Sequence, residues 1–499
     1  MTASGFVLAV DQGTTNTKAL LVNANGEIVD QASVPNMVSY PQSGWAEQSA
    51  TALMEGVLKA IEDVLSKSGS RQEVAAVAIS NQRESIVVWD AETGVPVGPC
   101  ITWQCRRSAP KCEALHAAGF SHMVEQKTGL TLDPLFPAAK IAWLLDNVEG
   151  ARARAENGKL RAGTVDTWLL WNLTGGTVHC TDHSNASRTQ LFDTAALRWD
   201  EELSRLFSVP LSMMPEVRPS NSLFGCVAAG VSALPAGTPI HAMIGDSHAA
   251  LYGHGVRTTG AVKATYGTGS SLMALTGARV LSSRGISSTI AWSTADGPVY
   301  ALEGNISVSG QSAAFMAELL GLKDAAQLSD LASSVPDSNG VVFVPALVGL
   351  GAPHWRADAR GTLTGLSLGT KPAHLARAAI EAIAFQVTDV FAAMEHDSGA
   401  SLSDLRADGG ASRNSVLMQF QADMIGRPVA TSAAAEVSAL GAAALAFSGF
   451  GQFLEAVPFA SRFAPQMSDT ARAANLLRWQ HAIAQTLTGS AKHPTTGGF

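Results

Sequence analysis

The apolar positions fall into short runs before they fall into long ones. Phe6 to Val10 is a continuous apolar stretch, the polar segment 11–18 (DQGTTNTK) follows, and Ala19 to Val22 is apolar again. Asn23-Ala24-Asn25-Gly26 supplies a second tight turn before Glu27-Ile28-Val29, so the chain opens as a strand meander. The period then changes. Leu53, Val57, Ile61 and Leu65 recur at helical spacing over Thr51 to Leu65, and Gly69 ends the segment. Val74 to Ile79 reads as a buried strand, followed closely by the polar cluster NQRES at 81–85. Strand hairpin, helix, strand is the order of an α/β domain rather than a helical bundle.

A similar grammar returns in the second half. Pro239 to Ile244 is a mostly apolar strand that leads into Gly245-Asp246 and then a small-residue segment. Val262 to Thr265 and Leu272 to Leu275 flank the turn 266–271 (YGTGSS) as another hairpin. Two Gly/Thr-turned hairpins predict two related halves that face each other. His374 to His396 predicts a long amphipathic helix with Leu375, Ile380, Ile383, Val387, Phe391 and Met394 on one side; Pro372 precedes it and Gly399 closes it. Asp404 to Ala407 reads as a strand, Asp408-Gly409-Gly410 as a loop and Ser415 to Ile425 as a helix. With no low-complexity linker, the division is expected near residue 250, giving domains 1–250 and 251–499.

Composition narrows the class. A chain of 499 residues calls for two or more compact units, and 46% hydrophobic against 15% charged residues excludes a disordered one. The formal charge of −8 argues against wholesale binding to nucleic acid or an anionic membrane, but leaves a local anion pocket open. The first residues lack the pattern of a secretory signal, and the apolar stretch Ala439 to Phe450 is too short to span a bilayer. Cys100, Cys105, Cys112, Cys180 and Cys226 form an odd set without a CxxC pair, which predicts a reduced, cytoplasmic protein without structural zinc.

Three Gly-rich segments carry the candidate chemistry: 11–18, 266–271 and 408–414 (DGGASRN). Glycines allow close backbone approach to a polyphosphate, while amides and Thr hydroxyls cradle its oxygens. Any one of them alone reads equally well as a hairpin turn; three together favour phosphate. Gly158-Lys159 is followed by Leu160, so there is no Walker loop, and no GxGxxG occurs. Asp11 and Asp246 both close strands, where ligands of α/β sheets bind. One could hold Mg²⁺ and the other accept a hydroxyl proton, or either could cap a turn. Lys18 offers charge to a phosphate. Arg83-Glu84 could together hold vicinal hydroxyls with the Trp103 indole covering carbon; the plainer alternative is a surface ion pair and a core Trp. A hydrolase nucleophile at Ser247 is disfavoured, because Ala249 stands where GxSxG needs glycine.

Taken together, these residues resemble the FGGY carbohydrate kinases, and among them the glycerol kinases most. The ordered matches run from about Phe6 to about Trp479. They include DQGTT at 11–15, SNQRES at 80–85, TWQCRR at 102–107, GTVDTWLLW at 163–171, NASRTQLF at 185–192, TYGTG at 265–269, ALEG at 301–304, GLGAPHW at 349–355, RADGGAS at 406–412 and LMQFQADMIG at 417–426. The resemblance implies an α/β protein with the two-domain actin-like, ribonuclease-H-like ATPase fold and an active site in the interdomain cleft. It implies an ATP- and Mg²⁺-dependent kinase acting on a terminal hydroxyl of glycerol or a longer sugar alcohol, a tetritol or pentitol. By the same resemblance Asp246 is the catalytic base, and Asp11 with Asp246 serves the metal. Gly13, Thr14, Thr15, Lys18, Gly267, Thr268, Gly269, Gly310, Gly410, Ala411 and Asn414 stand at nucleotide positions, and Arg83, Glu84, Trp103, Leu135, Ser247 and Ser271 at polyol positions. A homo-oligomer, dimer or tetramer, follows by family analogy.

Several departures are specific. Lys18 stands where the glycerol kinases usually have Arg, and Ala314 replaces a Gln near the adenine. Leu135 replaces Tyr, Ser271 replaces Phe, and Ser247 replaces Gln. The implied pocket is larger on one side, so a four- or five-carbon polyol or a related ketose is as well accommodated as glycerol. The loop 230–238 (GVSALPAGT) lacks the Arg used for sugar-bisphosphate inhibition. A ketose kinase of the xylulose or ribulose type is the near rival, against which NQRES argues. A non-catalytic actin-like nucleotide-binding module is the distant one, against which Arg83, Glu84 and Trp103 argue.

Overall fold

The computed structural model describes residues 5–69 and 73–490. Its frame is two mixed sheets of the same design. The first runs β3 (Ile28–Pro35), β2 (Asn16–Val22), β1 (Phe6–Gln12), β4 (Val74–Asn81) and β5 (Pro239–Gly245), with Gly225–Cys226 on the β5 edge. The second runs β8 (Ser287–Thr294), β9 (Gly297–Ile306), β7 (Ser270–Thr276), β6 (Ala261–Tyr266), β10 (Asp404–Asp408), β11 (Val429–Ser432) and β12 (Phe459–Phe463). In both, an antiparallel meander of three strands (β3-β2-β1, β9-β7-β6) is extended by two parallel strands (β4-β5, β10-β11). The two hairpins noticed in the sequence, β1–β2 and β6–β7, therefore occupy equivalent places.

Continuous apolar runs mark strands covered on both faces. Val7, Leu8, Ala9 and Val10 are all without exposure. Leu8 and Val10 join the core under α1 (Ala50–Ser68), which Ser49 caps at its start and Gly69, at φ 68°, at its end. Val7 and Ala9 face a different core, built by α2 (Asp246–Gly253) and α5 (Val437–Gly449). Between these in sequence lie α3 (Pro372–Ser398) and α4 (Ser415–Ile425), close to the expected spans.

The helices α2 and α5 cross between the halves, with α2 packed on β4 and β5 of the first sheet as well as on the second. The later one, α5, lies on β1, β4 and β5 of the first sheet, whereas α2 reaches β6, β7 and β8 of the second. They cross at backbone contact: a Cβ on Gly441 would stand 1.8 Å from the Ala249 carbonyl oxygen, and one on Gly253 2.6 Å from that of Val437. Residue 250 lies within α2, the helix that Asp246 starts at the end of β5. Among the described residues no helix is long and apolar enough to cross a membrane. All five cysteines are unpaired.

Candidate active site

Asp11 lies at the end of β1, opposite Lys18 on β2 and Ser80 on β4. The Ser80 hydroxyl donates to Asp11 Oδ1 at 2.8 Å. Burial first, and then the negative charge of Asp246, push the Asp11 carboxyl up to about 7. Asp246 is the first residue of α2, and its carboxylate remains 36% exposed while Ser247 behind it is buried. The two strand-end carboxylates are close enough for the charge of Asp246 to act on Asp11.

Arg83 follows β4 and is buried between the halves. Its Nε donates to Asp246 Oδ1 at 3.0 Å and its Nη1 to Glu303 Oε1, on β9, at 2.5 Å. Gly245 makes room, since a Cβ there would sit 2.6 Å from the Arg83 Cγ and Cδ. The pairing between neighbours Arg83 and Glu84 is kept as a long ion pair, and Glu84 gains a shorter second partner. Arg83 Nη1 is 3.8 Å from Glu84 Oε1, while Arg188 Nε donates to that oxygen at 2.7 Å. Adjacent residues in a turn diverge, and Glu84 has φ 59°. Arg188 Nη1 lies 2.8 Å from Glu303 Oε2. Burial opposes ionisation of Glu303, yet Arg188 and Arg83 hold it well below the usual carboxylate range.

The polyol and phosphate positions meet at Trp103. Its Nε1 donates to Thr14 Oγ1 at 3.0 Å, and the Thr14 hydroxyl donates to Gln82 Oε1 at 3.2 Å. Leu135 is half-buried; its carbonyl accepts from Lys140 Nζ at 2.6 Å, and the same ammonium reaches the Glu84 carbonyl at 3.0 Å. Burial brings Lys140 down to about 8. Ser271 Oγ donates to Glu303 Oε1 at 3.2 Å.

The glycine loops differ from expectation in one respect. Gly13 N–H closes its own turn on Asn16 O at 2.9 Å, Gly267 N–H binds Gly269 O at 2.9 Å, and Gly310 N–H binds Gly267 O at 3.0 Å. These amides are engaged, so the glycines supply shape: a Cβ on Gly269 or Gly310 would meet a carbonyl oxygen at 2.5 Å. Thr15 and Thr268 are exposed, and Gly410 faces open space. Ala411 packs against the core of the second half. Asn414 Oδ1 accepts from Leu417 N–H as the cap of α4, and its Nδ2 donates to Ser329 Oγ. Lys18 is not a free cation either: its Nζ lies 2.6 Å from Glu436 Oε2, just before α5.

Residues 6–253 match the family model described as the FGGY family of carbohydrate kinases, N-terminal domain, and residues 262–450 match the C-terminal domain of the same family. The chain belongs to the FGGY family of carbohydrate kinases. It is 48% identical to a glycerol kinase of Symbiobacterium thermophilum (92% of this chain, 93% of the relative). It is 51% identical to an apulose kinase of Pectobacterium atrosepticum (88% of each). The crystal structure of Plasmodium falciparum glycerol kinase with ADP superposes with a TM-score of 0.90 at 31% identity, covering 97% of this chain and 98% of that one. The fold is the two-domain actin-like ATPase fold, and the chain is an ATP-dependent kinase with a glycerol-kinase-like hydroxyl acceptor.

Within this FGGY kinase, residue-by-residue reading missed four side chains that shape the site. Glu303 and Arg188 lie in the matched segments ALEG and NASRTQLF, where a buried carboxylate and guanidinium in small-residue contexts were the available signal. Lys140 sits in the helix Pro137–Asn147 among Ala138, Ala139, Ile141 and Ala142, and is fully buried there. Glu436 follows an Ala-rich stretch and carries no local signal, because its partner is 418 residues away.

Proposed function

We propose that this kinase phosphorylates a hydroxyl of a four- or five-carbon polyol or ketose, with Asp246 as the general base. What carries the reading is Arg83, fixed between Asp246 and Glu303 with the Asp246 carboxylate left partly exposed. Asp246 accepts the proton of the attacking hydroxyl, Arg83 holds that carboxylate in place, and the Glu84–Arg188 pair and Trp103 wall the acceptor. Thr15 and Thr268 present hydroxyls to the phosphates, Thr14 holds Trp103 and Gln82 beside them, and Gly410 admits the nucleotide. Asp11 and Asp246 would be the residues to hold Mg²⁺: carboxylates are the hard oxygen donors it takes, and the Asp246 carboxylate stays 36% exposed although Arg83 already pairs with it. A bound Mg²⁺ supplies charge neutralisation for the transferring phosphoryl group.

Acceptor size follows from the small side chains. The Ser271 hydroxyl donates to a carboxylate, so toward the acceptor it offers lone pairs and favours a further substrate hydroxyl. Similarity to both a glycerol kinase and an apulose kinase supports an acceptor wider than glycerol alone. Residues 1–250 would supply the acceptor and one phosphate hairpin, and 251–499 the nucleotide side, joined through α2. The free cysteines support a reducing, cytoplasmic setting, and a dimer or tetramer is the assembly to look for by size measurement.

ADP release against a panel of glycerol, tetritols, pentitols and ketopentoses tests the reading. The expected result is a higher kcat/KM for a four- or five-carbon acceptor than for glycerol. Efficient turnover of glycerol with none of the longer acceptors would overturn the size assignment, and no ADP release with any of them would overturn the role of Asp246.

A further inference from the structure

His254 belongs to none of the sites above, yet it stands at the far end of the helix that begins with Asp246. It caps α2, is fully buried, and its Nε2–H donates to Asp408 Oδ2 at 2.7 Å. Its carbonyl is held as well, by Arg406 Nη1 on β10 at 2.6 Å. Asp408 ends β10 opposite Thr265 and leads directly into Gly409 and the open Gly410. Gly409 has φ 88°, and a Cβ there would stand 2.5 Å from the Tyr266 carbonyl oxygen, so this loop cannot shift independently of β6.

We propose that His254 is a positioning residue which, by anchoring Asp408, ties the helix carrying the base to the loop that receives the nucleotide. An eight-residue helix is about 12 Å long and behaves as one body over that length. It is pinned at its start by Arg83, in its middle by the Gly441 crossing and at its end by His254. Displacing the Asp408–Gly410 corner therefore displaces Asp246, unless the His254 link gives way. Lys263, fully buried and without a hydrogen bond among the described residues, lies in the field of Asp408, Asp246 and Glu303 together. Burial opposes the charge of Lys263, and Arg83 repels it as well, so the tie rests on the His254–Asp408 contact rather than on this ammonium.

The inference rests on reading 409–414 as the nucleotide loop, and its test uses the whole enzyme. Calorimetric binding of ADP·Mg²⁺ is measured beside steady-state kinetics for wild type, His254→Leu and His254→Gln. The Gln amide still donates to Asp408; Leu does not. Losing a buried hydrogen bond to a charge should weaken ADP·Mg²⁺ binding about tenfold and lower kcat about tenfold in His254→Leu, with acceptor KM within about twofold of wild type. His254→Gln should recover most of both. Should the Leu variant fail to fold, His254→Asn, whose amide is too short to reach, takes its place. Unchanged ADP·Mg²⁺ binding and kcat in the Leu or Asn variant overturns the tie, as does a Gln variant no better than it. A wild-type enzyme that does not bind ADP·Mg²⁺ overturns the nucleotide loop itself, so the two failures are distinguishable.

Discussion

Asp246 and Ser271 carry the sharpest expectations at the scale of single residues. Removing the proton acceptor while keeping its shape, Asp246→Asn, should lower kcat by about 10²- to 10⁴-fold with the thermal midpoint little changed. A folded Asn variant with near-normal turnover would refute the base. At Ser271 a larger side chain refills the widened end of the pocket. Ser271→Phe should raise the kcat/KM ratio of glycerol to the longer acceptor by about tenfold, read from paired progress curves. Both residues stood in recognisable contexts, Asp246 at a strand end and Ser271 in a glycine turn. Their partners did not: Glu303, which holds Arg83 and Ser271 alike, is 220 residues from the first and 32 from the second. Pairings made across a cleft leave no local period to read.

Elements were legible where packing followed local pattern. The helix over Ser415–Ile425 is found at its expected bounds, because its cap Asn414 and its terminal Gly426 are both chemical signals within the segment. The loops were half legible: glycine clusters marked the turns, but the amides of Gly13, Gly267 and Gly310 are spent on closing them. The crossing of α2 and α5 had no signature beyond glycines in Ala-rich stretches. It nevertheless gives the clearest element-scale prediction. Gly441→Val forces a side chain where only backbone fits, and it should cost about 2–3 kcal/mol in denaturant unfolding. Gly230, Val231, Ser232 and Ala233, the first part of the segment 230–238, line a groove with Glu55, Lys59 and Glu62, and Lys59 is paired with Asp63. A net negative surface disfavours a bisphosphate, so added fructose bisphosphate should leave the initial rate unchanged.

For the whole molecule, the two halves are joined by charge as well as by the crossing of α2 and α5. Lys18–Glu436 is partly exposed, and screening leaves it worth well under ~1 kcal/mol. Glu303 and Asp408 are different: burial opposes their charge, but Arg188 and Arg83 for the first, and His254 and Lys263 for the second, hold both below the usual range. A carboxylate depressed in the folded state contributes stability that is complete above its unfolded pKa of ~4 and is lost as pH falls toward its folded value. The denaturation midpoint should therefore fall with pH below ~4, and Glu303→Gln should flatten that slope. By itself, the sequence determined the two repeated meanders, the turns between their strands and the family, since each is written in residues close together or in ordered motifs. Tertiary structure alone decided which helix covers which sheet, that Glu84 takes Arg188 as its hydrogen-bonded partner beside the longer contact to Arg83, and that Lys18 meets Glu436. Those choices depend on charges and backbones brought together from opposite ends of the chain, where burial makes each partner indispensable and no local pattern can encode it.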